Sequence, residues 1–256
     1  MALRHFLLLI SIYLLGVEGR TITLKNKCAT TIWPGYLEHY QNNENQHLKQ
    51  LSDECASHNF KLRPGESINM TAPEDNWEGM IWGRHPCSFD SFGIGKCATG
   101  DCAGKLQCGG LDFPLPPFTL ASITLNPSGE DSYLISLGGG FNLPMSILPY
   151  GHNNNNNNPS LCQASNCLSD INKSCPRERQ VRFRGEIVAC KSDCQALNKA
   201  EYCCVGAVDI YTNETCKASG YSSEVHRACP AAGTNGFDMH LSTFRCSGAN
   251  YLVSFC

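Results

Sequence analysis

Residues Gly93 to Cys108 read GIGKCATGDCAGKLQC and form the most informative stretch of the chain. The stretch contains three cysteines, and Gly100 and Asp101 stand directly before Cys102, which predicts a tight, cross-linked turn. An aspartate in such a turn commonly accepts hydrogen bonds from nearby backbone N–H groups. We therefore predict that Asp101 caps a turn and does not act as a catalytic acid.

The cysteine content extends this interpretation to the whole chain. All 17 cysteines lie between Cys28 and Cys256, far more than a reduced cytosolic protein carries, and they predict a disulfide framework. Zinc ligation is the alternative, because some cysteines form close pairs. These pairs are mostly separated by three or four residues and no paired histidines accompany them, so we predict no metal site and no cofactor. The pairs are Cys97/Cys102, Cys162/Cys167 and Cys190/Cys194.

The N-terminus predicts export. Residues 1–19 have the layout of a secretory signal peptide: Arg4 is followed by the apolar run Phe6–Leu15, and Val17 and Gly19 supply small residues before the cleavage point. A buried helix is the alternative interpretation, whereas a membrane span is excluded because ten apolar residues are too few to cross a bilayer. No later stretch is long enough either, so we expect a secreted, extracellular protein.

Three N-glycosylation sequons fit the same route and predict a glycoprotein. They begin at Asn69, Asn172 and Asn213.

Charge and short catalytic motifs exclude several function classes. The net charge of −3 and the isoelectric point of about 6.2 provide no basic surface for nucleic acid or an anionic membrane. The chain also contains neither the GxSxG motif of serine hydrolases nor the HExxH motif of zinc proteases.

The chain after the signal is predicted to be mainly β. Short alternating segments predict strands, and the best helix candidate is Lys191–Tyr202. The cysteine-dense stretch 161–229 predicts a small lobe held by disulfides. Two polar stretches, 37–59 and the asparagine tract 153–158, are expected to be exposed loops. The four clearest strand candidates are Thr21–Leu24, Ser67–Thr71, Ser132–Leu137 and Tyr251–Phe255.

The stretch 93–108 resembles the signature of the thaumatin-like proteins of plant defence, which are pathogenesis-related proteins of the osmotin and thaumatin type. Other segments are similar to landmarks of the same family, so the resemblance covers essentially the whole mature chain apart from the two polar stretches. These segments are Asn26–Cys28, Ile81–Arg84, Gly140–Met145, Glu201–Cys204 and Asn250–Cys256.

The resemblance implies a cysteine pairing, which spacing alone does not define. Members of the family have sixteen cysteines in eight bridges, and each has a counterpart here. Cys55 is left over, and we expect a free thiol there or, alternatively, a link to another chain. The implied pairs are Cys28–Cys256, Cys87–Cys97, Cys102–Cys108, Cys162–Cys246, Cys167–Cys229, Cys175–Cys190, Cys194–Cys203 and Cys204–Cys216.

The resemblance also implies a three-part architecture. A flattened β-sandwich would be built from 20–84, 116–168 and 230–256, a small bridged region from 85–115, and a disulfide-rich lobe from 169–229. A cleft would run between the sandwich and the lobe.

In antifungal members of the family that cleft is lined by one arginine and four carboxylates. At the matching positions this chain has an apolar or neutral residue in four places out of five. Glycosidic hydrolysis ordinarily requires two carboxyl groups, so the substitutions predict a cleft without catalytic activity. Glu130 and Asp131 lie near one of these positions, but strand alternation places Asp131 on the opposite face. The five cleft positions are Met80, Ser122, Leu134, Gly139 and Asp238.

The resemblance and the altered cleft together lead to three functional hypotheses. The first is an apoplastic, monomeric defence protein that binds microbial wall polysaccharide such as β-1,3-glucan, or another extracellular partner, without hydrolysis. The second is a weak endo-β-1,3-glucanase, and the third is a non-enzymatic protein-interaction or stress-response module. Trp33, Trp77 and Trp82 could stack on sugar rings, although packing in the core or at its rim is the commoner use of tryptophan.

Overall fold

The structure is a computed structural model and describes seven segments of the chain. Several predictions fall outside them: residues 1–18 of the signal peptide, Cys55, the asparagine tract and Asn213. The described segments are 19–40, 61–72, 76–108, 112–126, 129–152, 160–204 and 216–256.

Strands dominate the described residues, as predicted. All four of the clearest strand candidates form strands, with bounds that differ by at most two residues from those expected. The strands are β1 (Arg20–Asn26), β2 (Trp33–Tyr40), β3 (Ser67–Ala72), β4 (Trp77–Arg84), β5 (Cys87–Phe89), β6 (Gly95–Cys97), β7 (Leu120–Thr124), β8 (Asp131–Ser136), β9 (Met145–Tyr150), β10 (Ser165–Cys167), β11 (Gln180–Phe183), β12 (Glu186–Cys190), β13 (Ala232–Gly233), β14 (Phe244–Cys246) and β15 (Asn250–Phe255).

Two large sheets form the β-sandwich. One has five strands in the order β10-β9-β15-β1-β3, in which β1 runs parallel to β15 and antiparallel to β3. The other has six strands, in the order β13-β8-β7-β4-β2 with β14 also paired to β8. The remaining strands form two separate hairpins, β5-β6 and β11-β12.

Alternating residues bury the inner face of each sheet. In β1 the buried positions are Ile22, Leu24 and Asn26, and in β7 they are Ala121 and Ile123. All but Asn26 belong to one hydrophobic cluster that is shared by the two sheets. A strand that is apolar on one face only is stable when that face packs against another layer, so the period-two pattern explains the sandwich. Trp77 and Trp82 are also fully buried, as the packing interpretation expects.

The polar stretch 37–59 does not begin as a loop, which corrects the sequence prediction. Strand β2 continues to Tyr40, and Leu37 pairs with Met80. Glu38 is 4% exposed and its Oε2 accepts a hydrogen bond of 2.9 Å from Trp77 Nε1. The hydrogen bond from Trp77 thus allows Glu38 to be buried, although the polar composition of the stretch predicted that it would be exposed.

The helices also differ from the prediction. The expected single helix Lys191–Tyr202 is two short ones, α1 (Asp193–Leu197) and α2 (Ala200–Cys203), because Asn198 adopts a left-handed conformation between them. Two further helices, α3 (Gly220–Ala228) and α4 (Gly236–Leu241), were not anticipated. Short 3₁₀ turns cover Ile171–Ser174 and Arg177–Arg179. None of the helices in the described segments could cross a membrane.

Eight disulfides join the cysteines in the pairs that the resemblance implies. Cys28 and Cys256 follow the parallel neighbours β1 and β15, so their bridge closes almost the whole chain, with a sequence separation of 228. On the loop-entropy model, closing a loop of that length destabilises the unfolded chain by about 5 kcal/mol.

The quoted stretch 93–108 is held by one capping carboxylate and one buried guanidinium. Asp101 accepts hydrogen bonds from the backbone N–H groups of Cys97 (2.8 Å) and Gly104 (2.9 Å), which confirms that it caps a turn. Arg84 at the end of β4 is fully buried and donates to the carbonyls of Lys105 (2.7 Å) and Leu106 (2.5 Å). The bridged stretch is thereby fixed to the six-stranded sheet. The division of the chain into sandwich, bridged region and lobe at the stated boundaries stays a prediction.

Candidate functional site

Three of the five predicted cleft positions stand side by side on the six-stranded sheet. Met80 on β4 opposes Ser122 on β7, and Ser122 opposes Leu134 on β8. Directly opposed residues project from the same face of a sheet. Their neighbours Ile123 and Ile135 belong to the core, so the row lies on the face turned away from it. Neither an apolar side chain nor a hydroxyl can replace a carboxylate in acid–base chemistry.

The fourth position, Gly139, connects the six-stranded sheet to helix α1. Its carbonyl accepts hydrogen bonds from Phe118 N (3.0 Å) and from Gln195 Nε2 (2.8 Å). A Cβ atom at this position would lie 3.1 Å from Cζ of the Phe118 ring. An aspartate at this position would therefore crowd the Phe118 ring, which would have to shift.

The fifth position, Asp238, is the one retained carboxylate, and it is used as a helix cap. It stands at the start of α4, where Oδ1 accepts from the backbone N–H groups of Thr234 (2.6 Å) and Asn235 (2.7 Å). Asn235 Oδ1 in turn accepts from Asp238 N at 2.9 Å, which completes a reciprocal capping arrangement. Oδ2 accepts from the Thr234 hydroxyl and lies 3.6 Å from His226 Nδ1.

Asp238 is consequently poorly placed to act on a substrate. The residue is 9% exposed and is not among the residues that line the neighbouring cavity. Both of its carboxylate oxygens are already occupied by hydrogen bonds of this capping arrangement.

The cavity itself has a volume of about 450 Å³ and lies where the six-stranded sheet meets α4 and residues 192–204 of the predicted lobe. Of the five predicted positions, only Leu134 lines it. Leu134 and Met239 supply apolar surface, and Tyr202, Asn235 and His240 supply polar groups. This volume lies within the usual range of small-molecule sites, which are largely apolar with a few placed polar groups.

The lining contains a carboxylate that sequence reasoning missed, Asp193 on α1. Its Oδ1 lies 2.9 Å from Arg179 Nη2 and accepts a 2.7 Å hydrogen bond from Ser219 Oγ. Its Oδ2 accepts from Ser219 N at 3.2 Å, and Asp193 and Arg179 are each 6% exposed. Arg179 also stacks over the Tyr221 ring at 4.2 Å, and burial raises the pKa of the Tyr221 phenol to about 12.

These contacts limit what the cavity can do chemically. A glycosidase needs two carboxyl groups about 5–5.5 Å or about 6.5–9.5 Å apart, one of them able to give up a proton. Among the described lining residues Asp193 is the one carboxylate, and it is neutralised by Arg179. The lining is suited to hydrogen bonding and apolar contact, which are the requirements of binding.

Metal ligation has little support in the described part of the chain. His152, Cys162 and Cys246 bring potential ligand atoms within 4.8 Å of one another. The two sulfurs are bonded to each other in a disulfide and therefore cannot act as thiolate ligands. Each of the close cysteine pairs that raised the zinc alternative is likewise divided between two disulfides.

The cavity residues that were not predicted differ in whether the sequence contains a signal that could have identified them. Tyr202 belongs to the segment Glu201–Cys204 that resembles a family landmark, so that segment could have drawn attention to it. Ser192 and Gln195 have the spacing of a capping box, and the structure contains both of its hydrogen bonds. That pattern predicts the start of α1 and with it the position of Asp193. His240 has no local signal, because it reaches the cavity only through the tertiary fold.

A family model described as the Thaumatin family matches residues 26–256.

The chain belongs to the thaumatin family.

Several relatives cover this thaumatin-family chain almost completely. Pathogenesis-related thaumatin-like protein 3.5 of Cryptomeria japonica is 40% identical over 242 residues, covering 93% of this chain and 90% of that protein. A protein of Prunus avium named glucan endo-1,3-beta-glucosidase is 37% identical over 245 residues, covering 94% and 92%. Among solved structures, a thaumatin-like xylanase inhibitor is 22% identical, covers 92% of this chain and 98% of its own, and has a TM-score of 0.44.

Proposed function

We propose that this thaumatin-family chain is a secreted, extracellular defence protein that binds a neutral wall polysaccharide of the β-1,3-glucan class without hydrolysing it. The observation that carries the proposal is the cavity of about 450 Å³, whose one described carboxylate is ion-paired. Export is supported by the signal-peptide layout of residues 1–19 and by eight disulfides.

The cavity lining suits an uncharged sugar chain. The hydroxyl and amide groups of Thr234 and Asn235 and the ring of Tyr202 provide hydrogen-bonding and stacking partners for sugar rings. Leu134 and Met239 provide apolar contact for the C–H faces of the rings. A neutral polysaccharide brings no charge that would have to be paired on binding.

The arrangement of carboxylates supports binding over catalysis. Asp193 is held by Arg179 and Ser219, and Asp238 caps α4. The oxygens of both carboxylates are therefore already engaged by protein partners. The glucanase named among the relatives is the reason to keep weak hydrolysis as the alternative.

A sedimentation assay on insoluble β-1,3-glucan tests the binding. Purified mature protein is mixed with the glucan, and the retained fraction is compared with retention on cellulose and on xylan. We expect retention on β-1,3-glucan and a clear loss of retention in the variant Tyr202→Ala, because this ring lines the cavity. The matched control is Tyr150→Ala, whose tyrosine lies on β9 of the other sheet.

Each outcome has a definite meaning. Retention that falls only in the cavity variant supports the proposal. Retention lost equally in both variants would place binding outside the cavity and overturn the site. No retention of the wild-type protein would overturn polysaccharide binding and favour the protein-interaction hypothesis, whereas soluble sugar in the supernatant would favour the glucanase.

A further inference from the structure

The asparagine of the first sequon lies open to solvent on the outer face of the five-stranded sheet. Asn69 is exposed on β3, the last strand in the order of that sheet, and Thr71 is exposed two positions further on. Asn69 Oδ1 accepts a 2.9 Å hydrogen bond from Thr23 Oγ1. Its Nδ2, the atom that an oligosaccharide would modify, donates no hydrogen bond to any residue that the structure describes.

The second sequon has the opposite geometry. Asn172 is half-buried within the 3₁₀ turn Ile171–Ser174, and its Nδ2 donates a 2.8 Å hydrogen bond to the carbonyl of Asn142. Asn142 is 2% exposed, so the amide nitrogen points into the fold. A bulky substituent on this nitrogen would have to displace a buried backbone contact.

An apolar strip, partly exposed at Leu252 and exposed at Leu148 and Tyr150, begins two strands away from Asn69. In the register of the sheet Asn69 opposes Thr23, Thr23 lies beside Leu252, and Leu252 opposes Leu148. Leu148 is 47% exposed, and the 37% exposed Tyr150 places its hydroxyl 3.2 Å from Thr23 Oγ1. Neighbouring strands are about 4.8 Å apart, so Leu252 lies about 10 Å from Asn69, within reach of the first sugars of a glycan.

We propose that Asn69 carries an N-linked glycan in the secreted protein, that Asn172 does not, and that the first sugars cover the strip formed by Leu252, Leu148 and Tyr150. The donor is an oligosaccharide attached to a lipid diphosphate. A bond forms between Asn69 Nδ2 and the anomeric carbon while the bond from that carbon to the diphosphate oxygen breaks. The diphosphate leaves with the electron pair, and Nδ2 loses one proton. This modification requires the export proposed above, but it does not depend on glucan binding.

Peptide mapping of the wild-type full-length chain, secreted from a eukaryotic host, is the primary test. The protein is treated with a peptide N-glycosidase in heavy-oxygen water, which converts each glycosylated asparagine to a labelled aspartate. We expect label at Asn69 and unmodified asparagine at Asn172. An unmodified Asn69, or label at Asn172, would overturn the assignment, and protein retained inside the cell would instead contradict export.

Two sequon variants keep both asparagines and test the consequence for the strip. Thr71→Ala is expected to lower the intact mass by one glycan, whereas Ser174→Ala is expected to leave it unchanged apart from the substitution. Thr71→Ala should also bind more of an apolar fluorescent dye, because the strip becomes uncovered. Equal dye binding by the two variants would overturn the covering role, and the peptide map decides the site even if a variant fails to fold.

Discussion

Arg179 Nη2 and Asp193 Oδ1 lie 2.9 Å apart in the wall of the cavity, and both residues are 6% exposed. This ion pair determines the character of the site, because it neutralises the carboxylate that lines the cavity. It also joins the 3₁₀ turn Arg177–Arg179 to the start of α1, and through Ser219 to the N-terminus of α3.

Asp193→Asn is therefore expected to lower the stability of the fold. The substitution leaves the Arg179 guanidinium buried without its anion, and breaking such a pair on one side costs about 3–5 kcal/mol. Chemical denaturation of the variant and the wild type measures the difference. Glu130→Gln is the matched control, because the Arg245–Glu130 pair is 3.9 Å long and well exposed, so little change is expected there. Similar losses in the two variants would show that the buried pair has no special role.

Gly139→Asp is expected to destabilise the protein and fail to restore an acidic cleft. A Cβ at this position already lies 3.1 Å from the Phe118 ring, and a carboxylate beyond it would require the ring to move. Thermal unfolding should show a lower midpoint than in the wild type. Gly220→Ala is the control: its Cβ meets nothing within 4 Å at the start of α3, so the midpoint should stay level or rise slightly. A Gly139→Asp variant as stable as the wild type would refute the steric argument.

Asp238→Ala is expected to cost about 0.5–2 kcal/mol through loss of the α4 cap. The reason is that Asp238 accepts hydrogen bonds from the backbone N–H groups of Thr234 and Asn235. Asp238→Asn should recover part of that loss, because its side-chain oxygen can still accept one of these bonds. Denaturation of the two variants measures the cost. An Asp238→Ala variant as stable as the wild type would contradict the capping role.

Stability is expected to fall in alkali because two buried tyrosines, Tyr133 and Tyr251, and the partly buried Tyr221 resist ionisation. Burial raises the pKa of Tyr221 to about 12, and burial together with Asp131 raises the pKa values of Tyr133 and Tyr251. An unfolded tyrosine ionises near pH 10. The stabilisation by these neutral phenols is thus complete below pH 10 and is lost as the pH rises above it, by up to about 1.4 kcal/mol per pH unit for each group.

Unfolding midpoints measured at several pH values on either side of 10 would check this expectation. Tyr221→Phe should show a shallower decline than the wild type, since one of the three linked groups is missing. An identical pH dependence in the two proteins would contradict the contribution of Tyr221.

The sequence predicts the fold well where a local pattern determines it. The alternation in segments such as Ser132–Leu137 depends only on neighbouring residues, and the structure has β8 there at Asp131–Ser136. Helices α3 and α4 were missed because each is short and begins with a glycine, so their caps Ser219 and Asn235 matter more than periodicity. The start of the polar stretch 37–59 was predicted to be a loop, but β2 continues through it, because Glu38 is buried with a cross-strand tryptophan as its hydrogen-bond partner.

The site was less predictable, for a physical reason. Met80, Ser122 and Leu134 do form one row, as strand register requires. The cavity, however, is closed by side chains such as Tyr202 and His240 that are far apart in sequence from that row. Whether a carboxylate forms an ion pair depends on the residues that the tertiary fold brings next to it. No local sequence pattern indicates that Arg179 pairs with Asp193.

The central claim is that the protein binds β-1,3-glucan without cleaving it, and sugar release from the bound complex tests it most directly. Protein retained on insoluble β-1,3-glucan is incubated for an extended period, and reducing ends are counted against a catalytically competent glucanase and a protein-free blank. We expect retention with reducing ends at the level of the blank. Release that rises with protein concentration and persists through repurification would contradict it, and would mean that a second carboxylate completes a catalytic pair.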